Sequence, residues 1–321
     1  MTPSGAAAFS PWRHRFAVFT ALSTLALIFI GGLVTSTGSG LAVPDWPLSY
    51  GMLMPPMVGG VFYEHGHRMA ATFVGLLTTI LAVWTARSEP RAGVRRLAWA
   101  ALLTVIAQGL LGGLTVKFLL PTPVSVAHAC LAQSFFCLVI ALAYATSRES
   151  LGASAGAADE DRAGVRAAAA LATGVVFAQL AVGAVMRHMG AGLAIPDFPL
   201  ALGRLIPPFD SAGVAVHFAH RVGAVLVLAA VVRLMVRAGR SGDPRVVRTS
   251  AFALVLVSAQ IALGATTVMS GRAVVPTTAH VAVGAAVLGV CWLATLRASR
   301  LLRRRHPSAS AAHRVREAVT P

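Results

Sequence analysis

Apolar residues fill eight long stretches of this chain, and polar or charged residues collect only in the short segments between them. The stretches cover about 16–36, 64–87, 96–116, 124–146, 165–186, 215–237, 247–268 and 276–296. Each is near the roughly 20 residues a helix needs to cross a bilayer core, so the pattern predicts eight transmembrane helices. None shows the strict alternation of a half-buried strand, and the predicted class is an all-α integral membrane protein. The first stretch has no small-residue cleavage signature of the A-x-A kind after it, and it reads as a retained helix rather than a signal peptide.

The chain also matches itself. A shift of 152 residues lays GLAVPDWPL (Gly40 to Leu48) on GLAIPDFPL (Gly192 to Leu200), and Pro55-Pro56 on Pro207-Pro208. The same shift sets Gln108 on Gln260 and His128 on His280, whereas His67-Arg68 needs 153 to reach His220-Arg221, so one residue is inserted near 210. Four spans separate the copies, and the second half therefore enters from the same side as the first. The expected architecture is two parallel four-helix-bundle repeats, residues 1–147 and 165–297, joined by a small-residue linker at 148–164 and followed by a basic tail at 298–321. The two long loops carrying P-D-W-P and P-D-F-P, with their paired prolines, are expected to fold over one mouth of each bundle.

Composition fits a membrane rather than a soluble core: 56% of the 321 residues are hydrophobic and 12% charged, with a mean hydropathy of +0.74. The net charge of +16 suggests nucleic acid until the arginines are placed. They fall before the first span (Arg13, Arg15), between spans two and three (Arg87, Arg91, Arg95, Arg96), four and five (Arg148, Arg162, Arg166), and six and seven (Arg237, Arg240, Arg245, Arg248), and in the tail from Arg297 through Arg303 to Arg305. The other loops hold only Lys117, Arg187, Arg204 and Arg272. Positive residues stay on the cytoplasmic side, so both termini are expected there, membrane lipid is the partner the charge meets, and no nucleic acid is. Cys130, Cys137 and Cys291 all lie within spans, away from any loop facing an oxidising compartment, and no structural disulfide is expected.

Ionisable residues inside spans are costly and are candidates for function. His67, His128, His220 and His280 all lie near the outer starts of alternate helices, at similar depth. Two imidazoles from opposite walls of one bundle can ligate a single heme iron axially, and the pairing repeats in both halves. His65 points about 200° away from His67 on a helix and is read as a wetted helix-start residue. His14, His306 and His313 are read as solvated in polar termini, and His188 as a loop residue without a partner. His217 precedes His220 by three residues on nearly the same face, where it could support the ligand or replace it. Its counterpart in the first half is Glu64, a carboxylate one turn before a ligand and suited to moving protons, or to capping the helix dipole. Arg68 and Arg221 could pair with heme propionates, with Glu64, or snorkel to the surface. Gly31, Gly32, Gly109, Gly112, Gly113, Gly183 and Gly264 fit close helix packing and would also give clearance to a macrocycle.

GSGLAVPDWP, then EHGHR, then PTPVSVAH, all repeated in the second half, resemble the heme A synthase family from about residue 16 to 297. The resemblance implies an enzyme of eight helices that oxidises a methyl group of heme O to the formyl group of heme A by successive hydroxylation and loss of water, for use in terminal oxidases. It implies a heme b on His220 and His280, the substrate heme O on His67 and His128, and a catalytic Glu64. Heme O synthase is the implied supplier, the bacterial inner membrane the implied location, and the electron donor is left unnamed. Many members carry a cysteine pair in the first outer loop; none lies between Gly38 and Tyr63 here, which resembles the cysteine-free members. A two-heme electron-transfer cytochrome, a heme carrier and, more distantly, a proton-coupled transporter using the histidines as relays compete with this reading. A homo-oligomer stays open.

Overall fold

A computed structural model of the chain describes residues 9–152 and 159–302, and the remarks below concern these. Helices α1 (Pro11–Ser36), α2 (Gly60–Ser88), α3 (Ala92–Lys117) and α4 (Thr122–Ala145) make the first half, a short α5 (Arg148–Leu151) follows, and α6 (Asp159–His188), α7 (Ala212–Ser241), α8 (Pro244–Met269) and α9 (Val274–Leu302) make the second. Eight of these are long and apolar enough to cross a membrane, and the protein is a multi-pass membrane protein.

Helix boundaries follow the capping residues more than the apolar stretches. Ser10 caps α1 through its side chain and Pro11 opens it, so the helix starts five residues before the apolar run and includes Arg13 and His14. Asp243 and Pro244 do the same for α8, with the fixed φ of proline suited to a first turn. His14, read from sequence as solvated, instead places its ring nitrogen 3.0 Å from the Ala143 carbonyl. The linker is also less free than its composition suggests. Glu149 of α5 holds Arg297 of α9 at 3.0 and 2.9 Å, and α6 begins at Asp159. Residues 153–158 of the linker, and His306, His313 and the arginine run of the tail, lie outside the described residues.

In the first half α1 packs on α2, α2 on α3, α3 on α4 and α4 on α1; α6, α7, α8 and α9 close the same ring. Between the halves α1 meets α9, α4 meets α6 and α4 meets α9. Exchanging α1 with α6 and α4 with α9 maps these contacts onto themselves, the pattern of a two-fold pseudo-symmetric pair of bundles. Small residues let the seam close. A Cβ on Gly289 would stand 2.8 Å from Ile140 and 2.9 Å from Phe136, and the Trp292 indole donates to the Cys137 carbonyl at 2.9 Å. The shift from 152 to 153 within α2 and α7 is undone at the next turn, where residues 89–91 are matched by 242–243 alone.

The end of the first bundle opposite the long loops holds a buried ion cluster. Arg13 reaches Glu89 at 2.8 Å, and Arg91 reaches it at 2.6 Å. Arg91 also donates to the Ala145 carbonyl at 2.8 Å, so one carboxylate ties α1, the α2–α3 turn and α4 together. Burial works to raise the Glu89 carboxyl, but the Arg91 hydrogen bonds and the charges of Arg91 and Arg13 outweigh it and hold it below its ordinary 4.5. The folded value lies below the unfolded one, so the stabilisation is full above about pH 4.5 and is lost as pH falls through the folded value. Glu89→Gln leaves Arg13 buried opposite a neutral partner and is expected to cost about 3–5 kcal/mol, read as a lowered Tm in detergent, with the difference from wild type shrinking under acid.

Candidate functional site

The two long loops fold in the same way and dock on the same helices. Asp45 accepts the Tyr50 and Gly51 amides at 2.7 and 2.8 Å, and Asp197 accepts those of Leu202 and Gly203, both at 2.8 Å. Each turn closes with a bridge, Ser49 to Met52 and Ala201 to Arg204. The Gly51 amide, with the Tyr50 amide and the Arg68 charge, overcomes the opposing effect of burial and holds the Asp45 carboxyl below the usual carboxylate range. Gly203 and Leu202 act first for Asp197 in the same direction.

Arginines from the helices grip these loops. Arg68 donates to the carbonyls of Asp45 and Leu48, each at 2.8 Å, and to Glu64 at 2.7 Å. Arg221 donates to those of Leu200, Ile195 and Asp197 at 2.7, 2.9 and 2.6 Å. Both guanidiniums thus shape the loops, a role not among the three read from the sequence, and of those three the Glu64 pair is made by Arg68. Glu64 and His217 also act on the loop. The Val43 amide donates to Glu64 at 2.8 Å, and the equivalent Ile195 amide donates to His217 Nδ1 at 3.2 Å. Both side chains are buried.

His65 departs from its reading as a wetted residue. It is 6% exposed and its Nδ1 lies 2.8 Å from the Ser49 hydroxyl, because the loop closes over it. The second half has Phe218 and Ala201 at the same places, packed in an apolar cluster with Ile195 and Val214. The fold therefore exchanges a polar pair for an apolar one. Trp46 crosses to α3, where its indole would lie 2.6 Å from a Cβ on Gly113; position 113 must be glycine for the loop to close. His188 ends α6, and its carbonyl accepts from Thr122 at 3.0 Å, linking the halves.

Beneath each loop stand the paired histidines. All four lie in the first three turns of α2, α4, α7 and α9, and alternate helices run in the same direction, so the pairs sit at one end of each bundle. Each ring rests on a glycine of the neighbouring helix. A Cβ would approach the ring Cε1 to 3.1 Å at Gly31 for His67, 3.0 Å at Gly112 for His128, 2.9 Å at Gly183 for His220, and 3.1 Å at Gly264 for His280. Gly31 and Gly112 recur 152 residues on as Gly183 and Gly264. Helix packing alone does not require a glycine at each of these four places, whereas seating an imidazole between helices does.

The His220 and His280 ring centres are 6.3 Å apart with their planes at 66°. Two metal–imidazole bonds of about 2 Å each, plus about 1 Å from each nitrogen to its ring centre, place the centres about 6 Å apart across one iron. The separation would allow one iron to be held between the two imidazoles. Among the described residues His, Cys, Asp and Glu form no group of three or more able to hold a bare ion. Donors in opposed pairs suit a metal that brings its own equatorial ligands, which a porphyrin does. His67 and His128 each have a buried Nδ1 without a hydrogen bond.

Glutamines complete the site. Gln108 and Gln260 donate to the main-chain carbonyls of His128 and His280 at 3.0 and 2.9 Å, and His280 Nδ1 lies 3.2 Å from the Gln260 carbonyl. Gln179 reaches the His220 carbonyl at 2.7 Å and its Nδ1 at 3.1 Å. The Gln108–Gln260 match is visible in the sequence repeat, but Gln179 has no glutamine counterpart and escapes it.

Comparison with known proteins follows this geometry. The family model described as "Cytochrome oxidase assembly protein" matches residues 14–60 and 58–292. A heme A synthase of Symbiobacterium thermophilum is 36% identical over 77% of this chain and 82% of its own length. One from Halalkalibacterium halodurans is 31% identical over 80% and 87%, and one from Geobacillus kaustophilus 28% over 94% and 96%.

Proposed function

The chain belongs to the cytochrome oxidase assembly family that includes these heme A synthases, and on that premise we propose that it oxidises a methyl group of heme O to the formyl group of heme A. The observation that carries the proposal is the repeated glycine-seated histidine pair, accompanied in one half only by a buried carboxylate, Glu64. In this reading His220 and His280 hold a resident heme b, and His67 and His128 hold heme O as substrate. The heme iron, when bound, supplies the redox chemistry. The chain's own part is to fix the macrocycle between opposed imidazoles, to exclude water with the docked loop, and to move protons at Glu64. The conversion of methyl to formyl is a four-electron oxidation: each of two hydroxylations formally adds the oxygen of one water and gives two electrons and two protons to an oxidant from outside the chain, and the resulting diol loses one water to give the aldehyde.

Arg68 and Arg221 keep the loops closed over the bundles through their carbonyl contacts, and their charge would favour the carboxylates of a bound heme. The arginine bias of the loops supports cytoplasmic termini in a bacterial inner membrane, with the histidine end outward. Heme O synthase is the supplier this chemistry calls for, and a homo-oligomer is compatible with it. The near-identical seats of the four histidines favour one second reading, a two-heme electron-transfer cytochrome without turnover. Expression in a host that makes heme O, followed by pigment extraction, separates them. Heme A or its alcohol precursor is expected in cells carrying the chain. Unaltered heme O beside a folded, heme-loaded protein would defeat the enzyme reading.

A further inference from the structure

Three of the four histidines are clamped by a glutamine, and the fourth is not. Gln108, Gln260 and Gln179 each place an amide nitrogen 2.7 to 3.0 Å from the main-chain carbonyl of His128, His280 and His220. At His220 the same amide also lies 3.1 Å from the ring Nδ1, so that it bears on the imidazole itself. His67 has no such clamp among the described residues. The position on α1 that corresponds to Gln179 is Leu27, one turn before the glycine that seats His67.

The difference extends to the helix opposite. A Cβ on Gly223 of α7 would fall 1.9 Å from Gln179 Oε1, so glycine there is a condition for the glutamine. The equivalent residue of α2 is Ala70. One half therefore carries a matched Gln/Gly pair and the other Leu/Ala, while the glycine seats and the Gln108–Gln260 clamps are common to both. Among the described residues the glutamine contact to the main chain is missing only at the ligand on the second helix of the first bundle; on the fourth helices both contacts are present, and the rings differ in that His280 Nδ1 lies 3.2 Å from the Gln260 carbonyl whereas His128 Nδ1 has no partner.

We propose that the position shared by Leu27 and Gln179 determines which half keeps its heme. Gln179, admitted by Gly223, locks His220 in the ligating geometry for a resident group. Leu27 and Ala70 leave His67 unclamped, so that a heme on the first half can be taken up and given back. Groups that orient a metal-binding histidine change its affinity by about 10–100-fold, because a ligand fixed before binding has less freedom left to lose. The inference rests on the reading that the first half takes heme as a substrate, since a substrate must leave as product.

The test follows heme transfer from the full-length, detergent-solubilised protein to excess apomyoglobin at the Soret band. His128→Ala and His280→Ala backgrounds assign each phase to one half. Wild type is expected to lose heme in two phases, the faster from the first half. Gln179→Leu/Gly223→Ala is expected to speed release from the second half about tenfold or more, and Leu27→Gln/Ala70→Gly to slow release from the first by a similar factor. The second variant gains a clamp, and unfolding cannot mimic slower release. Rates within twofold of wild type in both variants would overturn the inference and leave the functional reading intact. A wild-type protein that takes up no heme would instead overturn the functional reading itself.

Discussion

His67→Ala is expected to reduce heme A formation by at least about 100-fold, since misplacing the reacting group alone costs that much, while the purified protein keeps the Soret band of its second half. His220→Ala should remove the band that wild type retains through purification and leave the first half able to bind added heme O. The two variants remove matching residues of the repeat, each losing an embedded ring from a glycine seat, and of the two only His220 has a glutamine against it. Their pigments should nonetheless differ, and that difference is the signature of one resident and one substrate heme. Pigment extraction beside visible spectra reads it directly. Identical loss of both bands from either single variant would mean that the halves do not hold heme independently, and the division of labour would fall.

The eight spans were legible because each is a self-contained apolar run, and the repeat because the PDWP and PDFP loops are near copies. Helix ends were less so. Arg13 and His14 look like a solvated terminus until the Ser10 cap and Pro11 set the helix start, and Arg13 then finds its charge partner 76 residues away in Glu89. A contact of that range leaves no local trace in the pattern of polar positions.

The ligand pairs were legible for a related reason: a histidine in an apolar helix is conspicuous, and its recurrence more so. What holds the ligands was not. His65 looks wet in sequence because nothing local buries it, and it is the loop returning through Ser49 that does. Gln179 was missed because comparing the halves for identities passes over Leu27, and here the informative feature is where the copies differ. Trp46 with Gly113, and Gly223 with Gln179, are matched across helices, so neither member explains itself alone.

Glu64 is where the two halves make opposing claims. The carboxylate accepts the Val43 amide as His217 accepts that of Ile195, which argues for a loop anchor. It also holds Arg68 across one helical turn, whereas Arg221 spends its donors on loop carbonyls alone. Glu64→Gln keeps an oxygen for the Val43 amide and removes the ionisable group. Glu64→His installs the anchor the second half already uses. If Glu64 moves protons for the first half, Glu64→Gln should lower turnover by about 100-fold or more with heme still bound, and Glu64→His should change the pH profile of whatever activity remains, because the group that exchanges the proton is then an imidazole and not a carboxyl. If it only anchors, Glu64→His should work as well as wild type at every pH. The same loop closure in all three proteins, checked by protease resistance of residues 37–59, makes the comparison one of chemistry: a group that merely fastens the loop can be replaced by its counterpart, and a group that carries the proton cannot.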